Sequence, residues 1–300
     1  MMISIKYLGR FGNNLIQFFS AIILQQLLNL QTITPLENVK DGMLINEEMY
    51  YRSCNLNVCT LNNVLRTLRE YYNCSDYTFS KLSECIILND YCQRSNHLFE
   101  HRDLILRVKN NEDLVIYTSY QNGDQIREPM FYKEEKDRLK FYFKDLFAKH
   151  IQNDMDDIVL HIRLGDFNKK EPLILNPEFY VEQLKTFKER NVLIIVETPK
   201  NELEYRYIDY IIKRSDKECR VQNTTCYNDW LTIRNARYII NSNSTYSWSA
   251  SFLNERAEKI VFPDTDIFEN QKLERNDERW TTIFIEKEKL INLENFFKSI

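Results

Sequence analysis

The feature that most constrains the fold of this chain is an apolar run that ends abruptly at charged residues. Residues 158–162 read Ile-Val-Leu-His-Ile, and residues 163–166 hold two charges and a glycine. A short, nearly continuous apolar run predicts a strand buried in a parallel sheet. Ligands of open α/β sheets bind beyond the carboxyl ends of the strands. We therefore expect His161, Arg163 and Asp166 to form part of a site.

Arg163 has the clearest chemistry of these three residues. Its guanidinium group is always charged, and its planar fork matches two phosphate oxygens. The alternative is a surface turn in which Arg163 pairs with Asp166, because such pairs are common and contribute little to stability. These residues alone leave both interpretations open.

Strand patterns alternate with helical patterns along the chain, which predicts an α/β fold with mainly parallel sheets. Three hundred residues exceed one typical core, and a polar, acidic segment over 152–157 separates two halves. We therefore predict one domain over residues 1–152 and a second over 153–300. The predicted strands are residues 3–7, 42–45, 85–88, 114–117, 158–162, 192–196, 238–240 and 259–262, and the predicted helices are 15–27, 61–72, 98–109, 134–150, 177–189, 203–213 and 230–236.

The first predicted strand and helix are joined by a turn with two glycines over residues 9–14. Strand, glycine turn and helix form the opening unit of a Rossmann-like layer, where glycine lets the backbone approach a ligand closely. The turn is neither G-x-G-x-x-G nor a P-loop. A plain connection between a strand and a helix is therefore the alternative.

A second polar segment, residues 241–247, follows the predicted strand 238–240 and consists of Asn, Ser, Thr and Tyr. Hydroxyl groups and successive N–H groups between a strand and a helix predict a neutral cradle for phosphate. The alternative is that Ser244 or Thr245 simply caps the helix that follows. Both interpretations can hold at once.

Charge and hydropathy argue against two classes of partner. The net charge is −4 and charges of both signs are interspersed, so the chain lacks the basic stripe of a nucleic-acid-binding protein. The most apolar segment, residues 15–30, is interrupted by glutamines and a serine, and no signal-peptide pattern is present. We expect a soluble, cytoplasmic protein without a membrane span.

Residue patterns for a metal site are weak. His97 and His101 are four residues apart but have no obvious third ligand, and Asp-x-Asp triplets occur at 154–156 and 264–266. Such triplets arise by chance in a chain with 44 acidic residues. The seven cysteines, five of them between Cys54 and Cys92, lack the C-x-x-C spacing of zinc sites. We expect free thiols, no metal and no cofactor.

Three stretches together resemble a known family. They are Gly9-Arg10-Phe11-Gly12-Asn13-Asn14 with Gln17, then His161-x-Arg163-x-Gly165-Asp166-Phe167, then Asn241-x-Asn243-Ser244-Thr245-Tyr246-Ser247-Trp248. In this order they resemble the α-1,2-fucosyltransferases, whose pattern reads G-x-x-G-N-Q, H-x-R-R-G-D-Y and S-N-S-T-F-S-W. Weaker echoes occur at residues 119–122, at Phe179-Tyr180 and at Asp229. The resemblance spans about residues 3–265.

The resemblance implies an inverting, metal-independent glycosyltransferase with two Rossmann-like domains that face a cleft, the GT-B arrangement. Such an enzyme moves fucose from GDP-fucose to a glycan hydroxyl, often of galactose in an α-1,2 linkage. The C-terminal domain would hold the GDP-sugar donor and the N-terminal domain the glycan acceptor. No cofactor is implied beyond the donor substrate itself.

The resemblance also implies roles for individual residues. Arg163 matches the arginine at the donor diphosphate. Proximity in sequence makes His161 and Asp166 the candidates for accepting the proton of the acceptor hydroxyl, and the alternative for Asp166 is that it orients Arg163. The implied donor-binding residues are Gly12, Asn13, Asp229, Asn243, Ser244, Thr245 and Ser247, and the implied acceptor-binding residues are Arg10, Tyr120 and Gln121.

Departures from the family pattern keep other functions open. Leu164 replaces a second arginine, Asn14 replaces a glutamine, Ser249 replaces a second tryptophan, and residues 197–199 (Glu-Thr-Pro) replace an acidic turn. A transferase for another nucleotide-activated deoxyhexose is therefore an alternative. The Gly-Arg-Phe-Gly-Asn stretch also occurs in protein O-fucosyltransferases, which leaves a protein acceptor open. Outside the enzymes, the alternative is an inactive module that binds a sugar or a nucleotide.

Overall fold

The computed structural model describes residues 2–5, 11–28, 32–35, 81–82, 85–88, 95–119, 132–134, 138–148, 158–165, 172–265 and 277–300. Contacts between Cα atoms divide the chain into two units. The first unit is Met1–Gly123 with Glu128–Phe147, and the second is Asp124–Arg127 with Ala148–Ile300.

The first unit holds a four-stranded sheet in the order β2-β1-β4-β3 and a three-stranded antiparallel sheet in the order β5-β7-β6. Strand β1 runs parallel to both of its neighbours, whereas β3 is antiparallel to β4. The elements are β1 (Met2–Ile5), α1 (Phe11–Leu28), β2 (Thr32–Pro35), β3 (Lys81–Leu82), β4 (Cys85–Leu88), α2 (Ser95–Glu100), α3 (Arg102–Arg107), β5 (Val115–Ser119), β6 (Tyr132–Glu134), β7 (Arg138–Tyr142) and a 3₁₀ helix (Phe143–Phe147).

Helix α1 begins at Phe11, four residues before the predicted start at Leu15. Phe11 is 8% exposed and stacks on Phe141, with 5.7 Å between the ring centroids. The helix therefore begins with a buried aromatic side chain that precedes Gly12. Gly12 and Asn13 lie in the first helical turn rather than in a tight turn. The predicted turn over 9–14 is wrong from Phe11 onward.

The charged helix predicted over 134–150 is also wrong. Its residues instead form β6, β7 and the 3₁₀ helix Phe143–Phe147. Phe141 and Phe143 are fully buried and two residues apart, which is the period of a strand. This spacing competes with the helical stripe through Phe143 and Leu146, and the packing of Phe141 in β7 against Phe11 of α1 (5.7 Å between ring centroids) favours the strand.

The second unit is built on a six-stranded, entirely parallel sheet in the order β10-β9-β8-β11-β12-β13. Numbered from β8 along the chain, this order is 3-2-1-4-5-6, the strand order of a Rossmann fold. The α/β fold class is therefore confirmed, and the GT-B cleft stays a prediction. The elements are β8 (Ile158–Ile162), α4 (Pro177–Lys185), β9 (Asn191–Val196), α5 (Glu202–Arg214), β10 (Glu218–Gln222), α6 (Cys226–Asn235), β11 (Tyr238–Ile240), α7 (Thr245–Leu253), β12 (Lys259–Thr265), β13 (Trp280–Ile285), a 3₁₀ helix (Lys287–Lys289) and α8 (Leu293–Ser299).

Strand β8 is the hub of this sheet because it is buried along its whole length and paired on both sides. Ile158, Leu160 and Ile162 face a core that also includes residues of α4, α5 and the segment before α8. Because successive strand residues point to opposite faces, Val159 and His161 face the other side of the sheet. His161 thus lies on the face that carries Ser242 and Tyr246.

The sequence analysis predicts neither β10 nor β13, and β12 extends past its predicted end. Strand β10 alternates exposed and half-buried residues at one edge, so no apolar run marks it. Strand β12 continues through Pro263 to Thr265 and pairs there with β13. Beyond Val261, β13 is the one neighbour of β12 among the described strands, and proline is tolerated in a strand with an open side.

None of the helices in the described part of the chain combines the length and the apolar character that crossing a membrane requires.

Asn254 ties the ends of α6 and α7 together and provides a test of this unit. Its Nδ2 donates to the carbonyls of Ile233 and Ala236 (3.2 and 2.8 Å), and its Oδ1 accepts from the N–H groups of Arg256 and Ala257 (2.7 Å each). Asn254 is fully buried. The substitution Asn254→Ala leaves buried backbone groups without this hydrogen-bond partner, and each unpaired buried group costs about 1–3 kcal/mol.

We expect Asn254→Ala to lower the free energy of unfolding by at least about 3 kcal/mol, measured by urea titration and by the melting temperature. The matched control is Asn292→Ala, which removes the cap of α8, where the side chain accepts from the N–H groups of Glu294 and Asn295. That loss should cost about 1 kcal/mol. Equal effects of the two substitutions would contradict the role of Asn254 in joining the ends of α6 and α7.

Candidate functional site

The site lies where the chain reverses its direction of travel across the sheet of the second unit. Strands β8 and β11 are parallel neighbours, yet the chain leaves β8 toward β9 and leaves β11 toward β12. The loops after these two strands therefore diverge and leave a crevice at their carboxyl ends. Arg163 follows β8, and residues 241–244 follow β11. Two of the three quoted motifs thus meet at one edge of one sheet.

His161 joins the two strand ends. Its side chain is 5% exposed, and its Nδ1 lies 2.7 Å from Ser242 Oγ. The ring also packs against Tyr246, with 5.3 Å between the ring centroids. Burial, and secondarily the positive charge of Arg163, lowers the pKa of His161 to about 3. The imidazole is therefore neutral at physiological pH and is a poor proton acceptor there.

Tyr246 closes the other side of this cluster. Its hydroxyl donates to the backbone carbonyl of Cys226, the first residue of α6. Burial is the main cause that raises the pKa of Tyr246 well above the usual value, and the negative charge of Asp229 adds to it. The phenol therefore stays protonated. His161 and Tyr246 are therefore two adjacent side chains that both stay uncharged near pH 7.

The turn after β11 is organised by its own side chains. Ser244 is the N-cap of α7 and accepts a hydrogen bond from the N–H of Tyr246 (3.3 Å). Ser247 Oγ donates to the Ser244 carbonyl at 3.4 Å, and Asn243 Nδ2 donates to the Leu173 carbonyl at 3.0 Å. The capping role of Ser244 is confirmed. The phosphate-binding roles of Asn243, Ser244, Thr245 and Ser247 stay predictions.

Asn243 shows an unusual feature within this turn. It is 6% exposed, and its Oδ1 is buried without a hydrogen-bond partner. Because Nδ2 must face the Leu173 carbonyl, the amide orientation is fixed and Oδ1 cannot exchange places with it. A buried acceptor in this state favours a ligand group or water that can donate to it.

Asp229, a predicted donor-binding residue, points into its own loop. The carboxylate accepts from Gln222 Nε2 (3.0 Å), from Thr224 Oγ1 (2.6 Å) and from the Thr224 N–H (3.3 Å). It is 8% exposed. It therefore fixes the loop between β10 and α6 at the carboxyl edge of the sheet.

The loop after β8 has a specific geometry. Arg163 is half-buried, whereas Leu164 is 1% exposed and belongs to the hydrophobic core. Gly165 has a φ of +56°, and a Cβ there would lie 2.8 Å from Glu197 Oε2. Glycine is therefore favoured at this position by conformation, and a Cβ there would displace the end of the exposed Glu197 side chain. Leu164, which stands where the fucosyltransferase pattern has a second arginine, is thus a core residue in this chain.

The other predicted site residues belong to the first unit or lie outside the described residues. Gly12 and Asn13 lie in the first turn of α1, in the first unit. Asp166, Arg10, Tyr120 and Gln121 lie outside the described residues, as do the cysteines from Cys54 to Cys74, Cys92 and the predicted strand 42–45 and helix 61–72.

The described residues contain no group of three or more His, Cys, Asp or Glu side chains that is suited to a metal ion. His97 and His101 do not share one helix, because α2 ends at Glu100 and His101 precedes α3. Asp264 lies in β12, while Asp266 and residues 154–156 are outside the described part of the chain.

Sequence reasoning assigned no role to Ser242, Tyr246 or Glu197. Ser242 and Tyr246 lie within the quoted third motif, so their position was a usable signal, but their contact with His161 depends on the pairing of β8 with β11. The sequence distinguishes Glu197 only because residues 197–199 depart from the fucosyltransferase pattern. Its contact with Gly165 follows from the pairing of β8 with β9.

Comparison with known proteins yields one informative relative. No family model matches the chain. An alpha-1,2-colitosyltransferase of Escherichia coli is 26% identical over 170 residues, which cover 51% of this chain and 59% of that protein. The chain therefore spans less than two thirds of the length of this relative. The name of the relative is that of a glycosyltransferase, the class of enzyme that the motifs indicate.

The low pKa of His161 predicts a dependence of stability on pH. In the unfolded chain His161 takes up a proton as the pH falls below its ordinary pKa of 6.5, whereas in the folded protein it does so only near pH 3. The stability that comes from keeping His161 neutral is therefore fully present above pH 6.5. It is lost as the pH falls toward 3, by at most about 1.4 kcal/mol of unfolding free energy per pH unit. His161→Asn keeps a polar group toward Ser242 but does not titrate in this range.

We expect the free energy of unfolding to fall more steeply with acidification in wild type than in His161→Asn between pH 6.5 and 4, measured by urea titration at each pH. Carboxylates and other histidines contribute equally to both proteins, so the difference isolates His161. Parallel curves would show that His161 is not held neutral.

Proposed function

We propose that this protein is a glycosyltransferase that uses a nucleoside-diphosphate sugar and transfers the sugar to a hydroxyl group of a glycan. One observation carries the proposal: Arg163 and the N-terminal turn of α7 lie together at the switch point of a Rossmann-ordered sheet. This is where such folds bind nucleotides, and a cation with N–H groups is suited to a diphosphate. The similarity to the colitosyltransferase supports the same class.

The donor that we propose first is GDP-fucose, and the acceptor is galactose in an α-1,2 linkage. The ordered set of three motifs supports this choice. Under this proposal Arg163 takes the place that a metal ion has in other transferases, because it supplies positive charge at the diphosphate. Asn243 and Thr245 would add hydrogen bonds around the phosphates or the sugar, whereas Ser247, which is fully buried and bonded to the Ser244 carbonyl, would hold the turn in place.

The chemistry is displacement of GDP from the anomeric carbon with inversion. Negative charge grows on the leaving diphosphate as the bond to the sugar breaks, so preorganised donors at that point lower the barrier. Arg163 would stabilise this charge directly. The acceptor hydroxyl loses a proton, for which Asp166 is our candidate acceptor.

We assign His161 a positioning role in this mechanism. Its low pKa makes proton acceptance unfavourable near pH 7. Its bond to Ser242 and its contact with Tyr246 instead fix the turn after β11 relative to the end of β8. A neutral imidazole in that place also adds no charge that would compete with Arg163 for the diphosphate.

A second candidate donor is a nucleotide-activated colitose, itself a deoxyhexose. The specific observation that favours it is the relative's activity. A protein acceptor and an inactive binding module are further outcomes that the same assay can reveal.

The proposal is tested by measuring GDP release from GDP-fucose in EDTA, with a panel of galactose-terminated glycans. Glycan-stimulated release is expected, and the stimulating glycan identifies the acceptor. Release only with another deoxyhexose donor would replace fucose, and GDP binding without any turnover would indicate an inactive module. Absence of GDP binding in calorimetry would reject the nucleotide site.

The role of Arg163 is tested with two substitutions. Arg163→Ala should weaken GDP binding by about 10- to 150-fold, the range expected for hydrogen bonds between charged groups. Arg163→Lys keeps the charge but loses the fork, so it should recover only part of the affinity. The control is Arg190→Ala, an exposed arginine at the opposite end of the sheet, just before β9. Equal GDP affinity in wild type and Arg163→Ala would contradict the assignment.

A further inference from the structure

The geometry points to Glu197 as a positioning residue: it braces the loop that carries Arg163, and so controls donor binding without contacting the donor. The inference rests on the proposed function, because Arg163 is taken as the donor-binding cation. Its structural part is independent of that function.

The brace follows from the pairing of β8 with β9. The last register pair is Ile162 with Val196, so Arg163 and Glu197 are the next residues of two adjacent parallel strands. Gly165, two residues further, then approaches Glu197 so closely that a Cβ would lie 2.8 Å from Oε2, 3.5 Å from Cδ and 3.8 Å from Oε1. The partly exposed carboxylate of Glu197 therefore lies beside Gly165, in the position that a Cβ would claim.

Arg163 is confined between fixed neighbours. Ile162 and Leu164 on either side of it are each 1% exposed and belong to the core. The left-handed conformation of Gly165 (φ +56°) then turns the chain directly after Leu164. Glu197 occupies the space into which this turn would otherwise relax. Removing Glu197 therefore frees the loop at the point where it leaves the core.

Glu197 is itself held from the far side. Its Oε1 accepts a hydrogen bond from Lys200 Nζ at 2.8 Å. The backbone N–H of Lys200 donates to Glu204 Oε2 at 2.8 Å, and Glu204 is only 3% exposed. Asn201, the N-cap of α5, exchanges two hydrogen bonds with Glu204, each 3.1 Å. Glu197 is thus linked through Lys200 to the residues that cap the start of α5.

The contact with Gly165 is steric, whereas the contact with Lys200 is an ion pair between two partly exposed side chains. Exposed ion pairs contribute little. Glu197→Gln fills the same space and should keep the brace. Glu197→Ala empties the space. Gly165→Ala puts a methyl group into it.

The test measures two quantities in the full chain: GDP affinity by calorimetry, and hydrogen exchange of the peptide that contains residues 163–165. We expect Glu197→Ala to raise exchange in this peptide and to weaken GDP binding by about tenfold, one decade of affinity. Glu197→Gln should stay within about threefold of wild type, less than half a decade. The matched control is Glu202→Ala, an exposed carboxylate of the same region, which should change neither quantity.

A double-mutant cycle separates the brace from independent effects. Gly165→Ala should weaken GDP binding more than Glu197→Ala, because it combines an unfavourable φ with a methyl group that displaces the Glu197 carboxylate. In the double variant no carboxylate is left to displace, so the loss of affinity should be smaller than the product of the two single losses. Multiplicative losses would overturn the brace.

The remaining outcomes are distinct. If wild type binds no GDP, the proposed function fails, and the exchange data alone decide whether Glu197 braces the loop. If Glu197→Gln binds GDP normally but loses sugar transfer, Glu197 acts on substrate directly and the positioning role is overturned. Unchanged exchange in Glu197→Ala would also overturn it.

Discussion

The arrangement of this site depends on one hydrogen bond, between His161 and Ser242 (2.7 Å). It links the ends of the two central strands of the sheet, where the chain turns in opposite directions and backbone pairing ceases. Backbone pairing between the two strands ends at Leu160 and Ile240, so this bond, together with the contact between the His161 ring and Tyr246, continues the link between β8 and β11 beyond it. The bond is effective because both groups are buried and the imidazole is neutral, so it needs no counter-charge in the interior.

The second unit could be predicted largely from the sequence because its strands are buried on both faces. Runs such as 158–162 and 192–196 carry an unambiguous apolar signal, and Asn176 with Pro177 marks the start of α4. The failures occurred where burial is partial or patterns compete. Strand β10 is an edge strand with no apolar run, and residues 138–147 satisfy a helical and a strand period at once. Only tertiary packing decides between such periods.

The candidate site was predictable to the extent that it lies in contiguous motifs. Arg163 and the turn 241–247 stand out in the sequence because polar residues directly follow apolar runs. The contacts that organise them are long-range and depend on strand order: His161 meets Ser242, and Gly165 meets Glu197. No local pattern encodes these pairs, because they require that β8 lies between β9 and β11.

The burial of Leu164 links the charge at the carboxyl end of β8 to the packing of the core. An arginine at this position would enter a space shared with Ile162 and Val196, where a charge without a partner costs several kcal/mol. A single substitution at Leu164 therefore cannot produce the two adjacent arginines of the α-1,2-fucosyltransferase pattern without that cost. A second cation beside Arg163 would require compensating changes among the core residues around Leu164, so the charge that this strand end can carry is limited by the interior as well as by the surface.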